Sequence, residues 1–150
     1  MRIASLPRHV VIIGGGFIAA EMAHVFGGLG SAVTVVNRGH ALLRAEDDEV
    51  SRRFTELASQ RYDVVLGAQV ERVERVDASD VADSGVRVHL TGDDGARVIE
   101  GDLLLVAAGR VPNGDELCCA AAGIECDESG AGLRSEEHTA EFQSHSFISY

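Results

Sequence analysis

Four short apolar runs mark the first two thirds of the chain, and the spacers between them change character halfway along. His9–Ile13 is apolar at consecutive positions and mostly β-branched, the pattern of a strand buried on both faces. Three glycines follow. The pattern then turns helical over residues 17–26, with Phe17, Ile18, Met22, Val25 and Phe26 as the expected apolar face. Gly27, Gly28 and Gly30 end that helix. Residues 33–36 are a second buried strand, completing a β-α-β unit whose right-handed crossover makes the two strands parallel neighbours. A loop covers residues 37–46. Asp47 or Asp48 then caps a second helix with the stripe Val50, Phe54, Leu57 and Ala58.

Residues 62–66 give a third buried strand. A doubly wound unit would next enter a crossover helix, but the spacer alternates instead. Val70, Val73 and Val76 alternate imperfectly within residues 69–77. Val86, Val88 and Leu90 alternate cleanly, Asp93-Asp94-Gly95 makes a hairpin turn, and residues 97–100 run back. The pattern predicts an antiparallel three-stranded meander. Residues 103–107 return to the parallel sheet, ending in Ala108-Gly109, and residues 117–123 suit a short helix.

The glycines carry candidate chemistry. Gly14, Gly16 and Ala19 fit G-x-G-x-x-G/A between a strand and a helix, the turn that seats a dinucleotide's pyrophosphate. Gly14 permits the tight turn, Gly16 leaves the backbone approachable, and Ala19 lets the helix pack close to the strand. The helix dipole and its first N–H groups then meet the phosphates. The expected fold is α/β: a Rossmann-like, doubly wound parallel sheet of about four strands, with an antiparallel β-meander replacing one crossover helix.

The end of the second strand selects the cofactor. An acid there accepts from the ribose 2′-hydroxyl of NAD, whereas arginine meets the 2′-phosphate of NADP. Asn37 is not acidic, and Arg38 and Arg44 follow in the loop, so the expected cofactor is NADPH. Glu21, one turn into the first helix, reads by itself as a solvated or dipole-facing residue.

Composition narrows the partners. The chain has 150 residues, 45% hydrophobic, with a formal net charge of −11. This suits one domain and argues against nucleic acid. An anionic cofactor must then be met by local positive charge. All thirteen basic residues are arginine. No apolar run reaches about 18 residues, and the N-terminus lacks a signal-peptide core, so a cytoplasmic setting is expected, with no membrane partner. Cys118, Cys119 and Cys126 fit neither a zinc site nor a C-x-x-C pair and read as free or buried thiols. His9, His24, His40 and His89 are scattered, and the acids of residues 46–49 read as a helix start, so no metal site is expected. From Arg134 the composition changes, losing Gly, Asp and Val. The stretch Arg134-Ser-Glu-Glu-His-Thr-Ala-Glu-Phe-Gln-Ser-His resembles a translated sequencing adapter. Residues 134–150 are therefore expected to be non-native.

Several motifs together resemble the pyridine-nucleotide domain of the flavoprotein disulfide reductases. They are the run from Gly14 to Glu21, the Arg38/Arg44 spacing and Ala107-Ala-Gly-Arg-Val-Pro-Asn113. Leu6-Pro, residues 17–26 and 33–38, and Ser51-Arg-Arg-Phe-Thr-Glu56 carry the resemblance further, to about Gly130. It implies that Gly14, Gly15, Gly16, Phe17, Ile18 and Ala19 cradle the pyrophosphate. Glu21 would lie near the flavin–nicotinamide junction, and Phe17 would cover the flavin. Arg38 and Arg44 would hold the 2′-phosphate, with Asn37 replacing the glutamate of NAD-dependent members. Val70 would lie beside the adenine, and Gly109 where the last sheet strand meets the cofactor.

The resemblance also implies domains: 1–8 a linker remnant, 9–113 the NAD(P)H-binding domain, and 114–133 a return towards an FAD domain. The family's redox C-x-x-x-x-C pair, FAD-binding glycine motif and His-Glu pair are absent, and no catalytic residue is assigned here. The chain is thus expected to be the middle of a longer protein that also needs its FAD and dimerisation domains, a homodimer when complete. The implied parent reaction is reduction of mycothione or a similar low-molecular-weight disulfide by NADPH through FAD. Dihydrolipoyl dehydrogenase, mercuric reductase and glutathione reductase branches are alternatives. A free-standing NADP-binding or redox-sensing module is the alternative of another class.

Overall fold

The four apolar runs assemble into one parallel sheet, and the two central ones, apolar on both faces, are covered on both. In the computed structural model, which describes residues 3, 5–76, 85–93, 95–114, 116–128 and 130–133, β1 (His9–Ile13) leads through α1 (Phe17–Gly28) to β2 (Ala32–Val36). Then α2 (Asp48–Arg61) leads to β3 (Asp63–Val65). The meander is β4 (Ala68–Val76), β5 (Gly85–Gly92) and β6 (Gly95–Gly101), and β7 (Leu103–Val106) returns to the sheet. The sheet order is β3-β2-β1-β7, all parallel; the meander is antiparallel in the order β4-β5-β6.

Strand alternation sends neighbouring side chains to two cores. Val10, Ile12, Val33 and Val35 pack with Ala19, Ala23 and Phe26 of α1 and Ala58 of α2. On the other face, Val11 and Val36 pack with Ala68, Val88, Leu90 and Ile99 of the meander. The meander thus covers the face that a crossover helix would otherwise cover. Val10, Val11 and Ile12 are fully buried, each worth roughly 1.5–3 kcal/mol of apolar transfer.

The imperfect alternation in β4 has a physical cause. The register with β5 shifts between Val70 and Arg72, so Val70 stands opposite Leu90 and Val73 opposite Val88. A bulge at Glu71 therefore keeps two valines three positions apart on one face. The expected hairpin closes between Gly92 and Gly95; Asp94 in its turn, and Asp77 at the end of the expected strand, lie outside the described residues.

Both helices bury only part of the face expected: Phe26 and Ala58 are buried, and Met22 and Phe54 pack against the same core. In α1 the buried residues are Ala19, Ala23 and Phe26, while Phe17 and Val25 are 52% and 45% exposed. Close packing on the sheet selects small side chains there. The helix also runs through Gly27 and Gly28. Leu29 ends it, with Ser31 N donating to Phe26 O at 3.0 Å and Gly30 N to Gly27 O at 3.3 Å. This is a Schellman closure, and Gly30 at φ +100° supplies the left-handed residue it needs. In α2, Ser51 and Ala58 are buried, whereas Val50 and Leu57 are about half exposed.

Contacts divide the chain into residues 1–109, which hold both sheets, and residues 110–150. In the second unit, the expected short helix is a single 3-10 turn, Cys119–Ala122. Cys126 forms an antiparallel bridge with Gly132. The expected non-native segment 134–150 lies outside the described residues, as do Met1, Arg2 and Ala4 of the expected linker. No helix among the described residues is long and apolar enough to cross a membrane.

Candidate dinucleotide-binding site

The carboxyl ends of β1, β2 and β7 meet at the glycine turn, where parallel sheets place ligands. Gly14 has φ +133°, and a Cβ there would run into the carbonyl of Ala107 just beyond β7. Gly14 N donates to Val36 O at 2.9 Å, and Ala107 N to Ile13 O at 2.7 Å, so three strand ends are locked around the turn. A Cβ at Gly15 would stand 2.5–2.7 Å from the side-chain tip of Asn37. A Cβ at Gly16 would meet nothing within 4 Å. Gly16 is the N-cap of α1; no side chain caps this helix and no acid lies in its first turn. Ala19 is 1% exposed, consistent with close helix–sheet packing.

A groove of about 390 Å³ runs from this turn across the end of β2. Gly14, Gly15, Asn37, Arg38, Val70 and Ala108 are among its lining residues. Five of the expected site residues thus share one surface, although they come from the turn, the β2 end and the meander. Val70 reaches it because β4 starts directly after β3.

Arg44 is placed differently. It lines a separate depression with His40, Ser51 and Thr55, and its side chain lies over Gly39. Cδ and Nη1 of Arg44 are 2.8 and 3.0 Å from where a Gly39 Cβ would stand. The two arginines therefore flank Gly39 on one loop. Among the described residues neither has a hydrogen-bond or ion-pair partner, unlike Arg8, Arg52, Arg53, Arg72, Arg87 and Arg97, which pair with carboxylates. The contrast is sharp on α2, where the hydrogen bond from Arg53, with Arg52 beside it, holds the Glu56 carboxyl below its ordinary range. Two unpaired guanidinium groups in a chain this acidic are available to an anion.

Other expected residues lie outside the groove. Phe17 and Glu21 are exposed on α1, four residues apart and so on one side of it. Glu21 borders an apolar depression with His24, Phe54, Leu57 and Tyr62. Ile18 is half-buried in the first turn of α1. Gly109 is exposed, with open space where a Cβ would point.

The sequence reading missed what holds the arginine loop. Asn37 Nδ2 donates to Gly39 O at 3.2 Å and Ala41 O at 2.8 Å. Thr55 Oγ1 accepts from Leu42 N at 2.9 Å, and Ser51 Oγ donates to Leu42 O at 2.6 Å. Leu43 N donates to Gly15 O at 2.6 Å. A buried serine and a threonine on an otherwise apolar helix stripe were the available signal.

Among the described residues, no group of three or more His, Cys, Asp and Glu side chains could hold a metal ion. All three cysteines are free. The hydrogen bond with Cys119, then burial, pushes the Cys126 thiol up, so it is not an activated thiolate.

Residues 1–142 match the pyridine nucleotide-disulphide oxidoreductase family. The mycothione reductase of Mycobacterium tuberculosis is 48% identical over 128 residues, covering 85% of this chain and 26% of that protein. A mercuric reductase of Lysinibacillus sphaericus is 37% identical over 126 residues, 83% of this chain and 22% of its own. Among solved structures, the Cu(II) complex of the HOCl-induced flavoprotein disulfide reductase RclA from Escherichia coli superposes with a TM-score of 0.71 at 31% identity. That match covers 87% of this chain and 28% of that one. The chain spans about a quarter of the length of the curated relatives it matches. With its parallel sheet, glycine turn and meander, the chain belongs to the pyridine nucleotide-disulphide oxidoreductase family.

Proposed function

We propose that this chain is the NADPH-binding region of an FAD-dependent disulfide reductase whose parent reaction is reduction of mycothione or a similar low-molecular-weight disulfide. The observation that carries the reading is the groove shared by Gly14, Gly15, Asn37, Arg38 and Val70, with Arg44 on the same loop in the neighbouring depression and neither arginine paired with a carboxylate among the described residues. The residues fit an adenine dinucleotide. Gly16 leaves space before the α1 N-terminus, where backbone N–H groups and the dipole favour a diphosphate. Arg38 and Arg44 meet a 2′-phosphate, and Val70 offers the adenine an apolar edge. NADPH supplies a hydride to the parent's flavin; the residues here bind and orient it. Phe17 and Glu21, on the exposed side of α1, face the flavin–nicotinamide junction on this reading, and Gly109 lies where the last strand meets the cofactor.

Residues 9–113 form the nucleotide domain on this proposal, 1–8 a linker, 114–133 the return towards the FAD domain, and 134–150 a non-native tail. The parent is a cytoplasmic homodimer. The chain alone binds NADPH and turns over nothing. The likeness to mycothione reductase at 48% identity supports the choice of substrate.

Nucleotide titration of the 150-residue chain tests the reading. NADPH binds at least about tenfold tighter than NADH, a difference of about 1.4 kcal/mol. Arg38→Ala with Arg44→Ala weakens NADPH by more than about a hundredfold, since each removes a charge-assisted contact of roughly 1.5–3 kcal/mol. NADH changes little. Equal losses for the two nucleotides overturn the assignment.

A further inference from the structure

Asn37 stands where a side chain would read the ribose, yet its own hydrogen bonds point elsewhere. Nδ2 donates to the carbonyls of Gly39 and Ala41, at 3.2 and 2.8 Å. The tip of the side chain fills the space that glycine leaves at position 15. The main chain is pinned as well: Asn37 N donates to Val65 O at 2.8 Å, and Ala68 N donates to Asn37 O at 3.3 Å. The amide therefore folds the first half of loop 37–44 on itself and leans it against the glycine turn.

The second half is tied down independently. Leu42 is held by Ser51 and Thr55, and Leu43 by Gly15. Leu43 has φ +54°, a conformation uncommon for a leucine that persists only where surrounding contacts impose it. Arg44 follows directly and folds back over Gly39, the residue whose carbonyl Asn37 holds.

We propose that Asn37 is a positioning residue for the 2′-phosphate end of the dinucleotide. Its uncharged amide, rather than any contact with ligand, presets the loop that carries Arg38 and Arg44. The inference rests on the NADPH reading above. An acid at position 37 loses both donors and sets carboxylate oxygens against the carbonyls of Gly39 and Ala41. The amide thus does more than vacate a ribose acceptor: it builds the arginine loop. Asn37→Asp consequently does not turn the chain towards NADH; it releases the arginines.

Two measurements on the full chain test this together. The first is limited trypsin digestion without nucleotide, comparing cleavage after Arg38 and Arg44 with cleavage after Arg87 and Arg97 in the meander. The second is titration with NADPH and with NADH. For Asn37→Ala, loss of two hydrogen bonds raises cleavage at the two loop sites and weakens NADPH, each by about tenfold. The meander sites stay within about twofold, and NADH loses clearly less affinity than NADPH. Unchanged loop cleavage overturns the proposal, as does an equal loss of both nucleotides, the mark of a side chain that merely supports the fold. If the unsubstituted chain binds neither nucleotide while Asn37→Ala still speeds loop cleavage, the hold on the loop stands and the NADPH reading falls. If Asn37→Ala unfolds the chain, all sites are cut faster together. Asn37→Asp, which keeps the side-chain volume, then replaces it under the same criteria.

Discussion

The two α-helices that flank the parallel sheet begin in opposite ways. At α2, Asp47 Oδ1 accepts from Glu49 N at 2.9 Å, and Asp48 and Glu49 add negative charge to the first turn. Its positive end is answered from within the chain. At α1, the N-cap is a glycine, no side chain caps the turn and no acid lies in it. Helix starts of the first kind stabilise the fold. A start of the second kind, with Arg38 in the adjoining groove, leaves its dipole for an external anion. The difference separates a residue's contribution to stability from its contribution to binding, and substitutions at the two starts expose it.

The largest effect is expected at Gly14. Gly14→Ala puts a Cβ into the Ala107 carbonyl at φ +133°, costing about 3 kcal/mol or more. Urea unfolding reads this as a lower midpoint, and nucleotide binding falls with the fold. Gly16→Ala is the informative counterpart. Its Cβ meets nothing, so stability falls by no more than about 1 kcal/mol, the modest cost of alanine at an N-cap. NADPH affinity nevertheless drops by about tenfold, or 1.4 kcal/mol, because the methyl occupies the diphosphate's approach. A Gly16→Ala chain that binds normally would break the comparison. Asp47→Ala reverses the pattern: about 1 kcal/mol of stability is lost with the cap, and nucleotide affinity is unchanged.

The smallest effect lies at the start of the sheet strands. Asp102 Oδ2 accepts from Arg8 N at 2.7 Å and His9 N at 2.9 Å. Partial burial works upward on its pKa, but these bonds and the Arg8 guanidinium hold the carboxyl below its ordinary value of 3.8. A depressed folded-state pKa contributes stability that is present above that ordinary value. It is lost as the pH falls through the lower, folded one. Unfolding midpoints measured from pH 5 downward should show this acid-side loss, and Asp102→Asn should flatten it.

Much of the fold was legible because burial on both faces writes itself as consecutive β-branched residues. His9–Ile13 is observed as expected, and the meander announced itself through Val86, Val88 and Leu90. The helix faces were less legible. Large apolar residues suggested Phe17 and Val25, which are exposed, whereas Ala19, expected from the glycine motif, and Ala23 pack on the sheet. On α2, Ser51 took a buried place because Leu42 O accepts its hydroxyl, a partner nine residues away. At the site, the glycine spacing and the two arginines could be read locally. The hold of Asn37 on the loop could not, since it depends on Gly15, 22 positions earlier, and on carbonyls whose direction only the folded loop sets.

The most direct test of the central claim is a set of amide ¹H–¹⁵N spectra of the chain during titration with NADPH. The account predicts saturable shifts at Gly15, Gly16 and Ile18, with matching shifts at Arg38 and Gly39, while Asp48, Glu49 and Val50 at the start of α2 stay still. Shifts centred on α2, or none at the glycine turn at saturating NADPH, would contradict it.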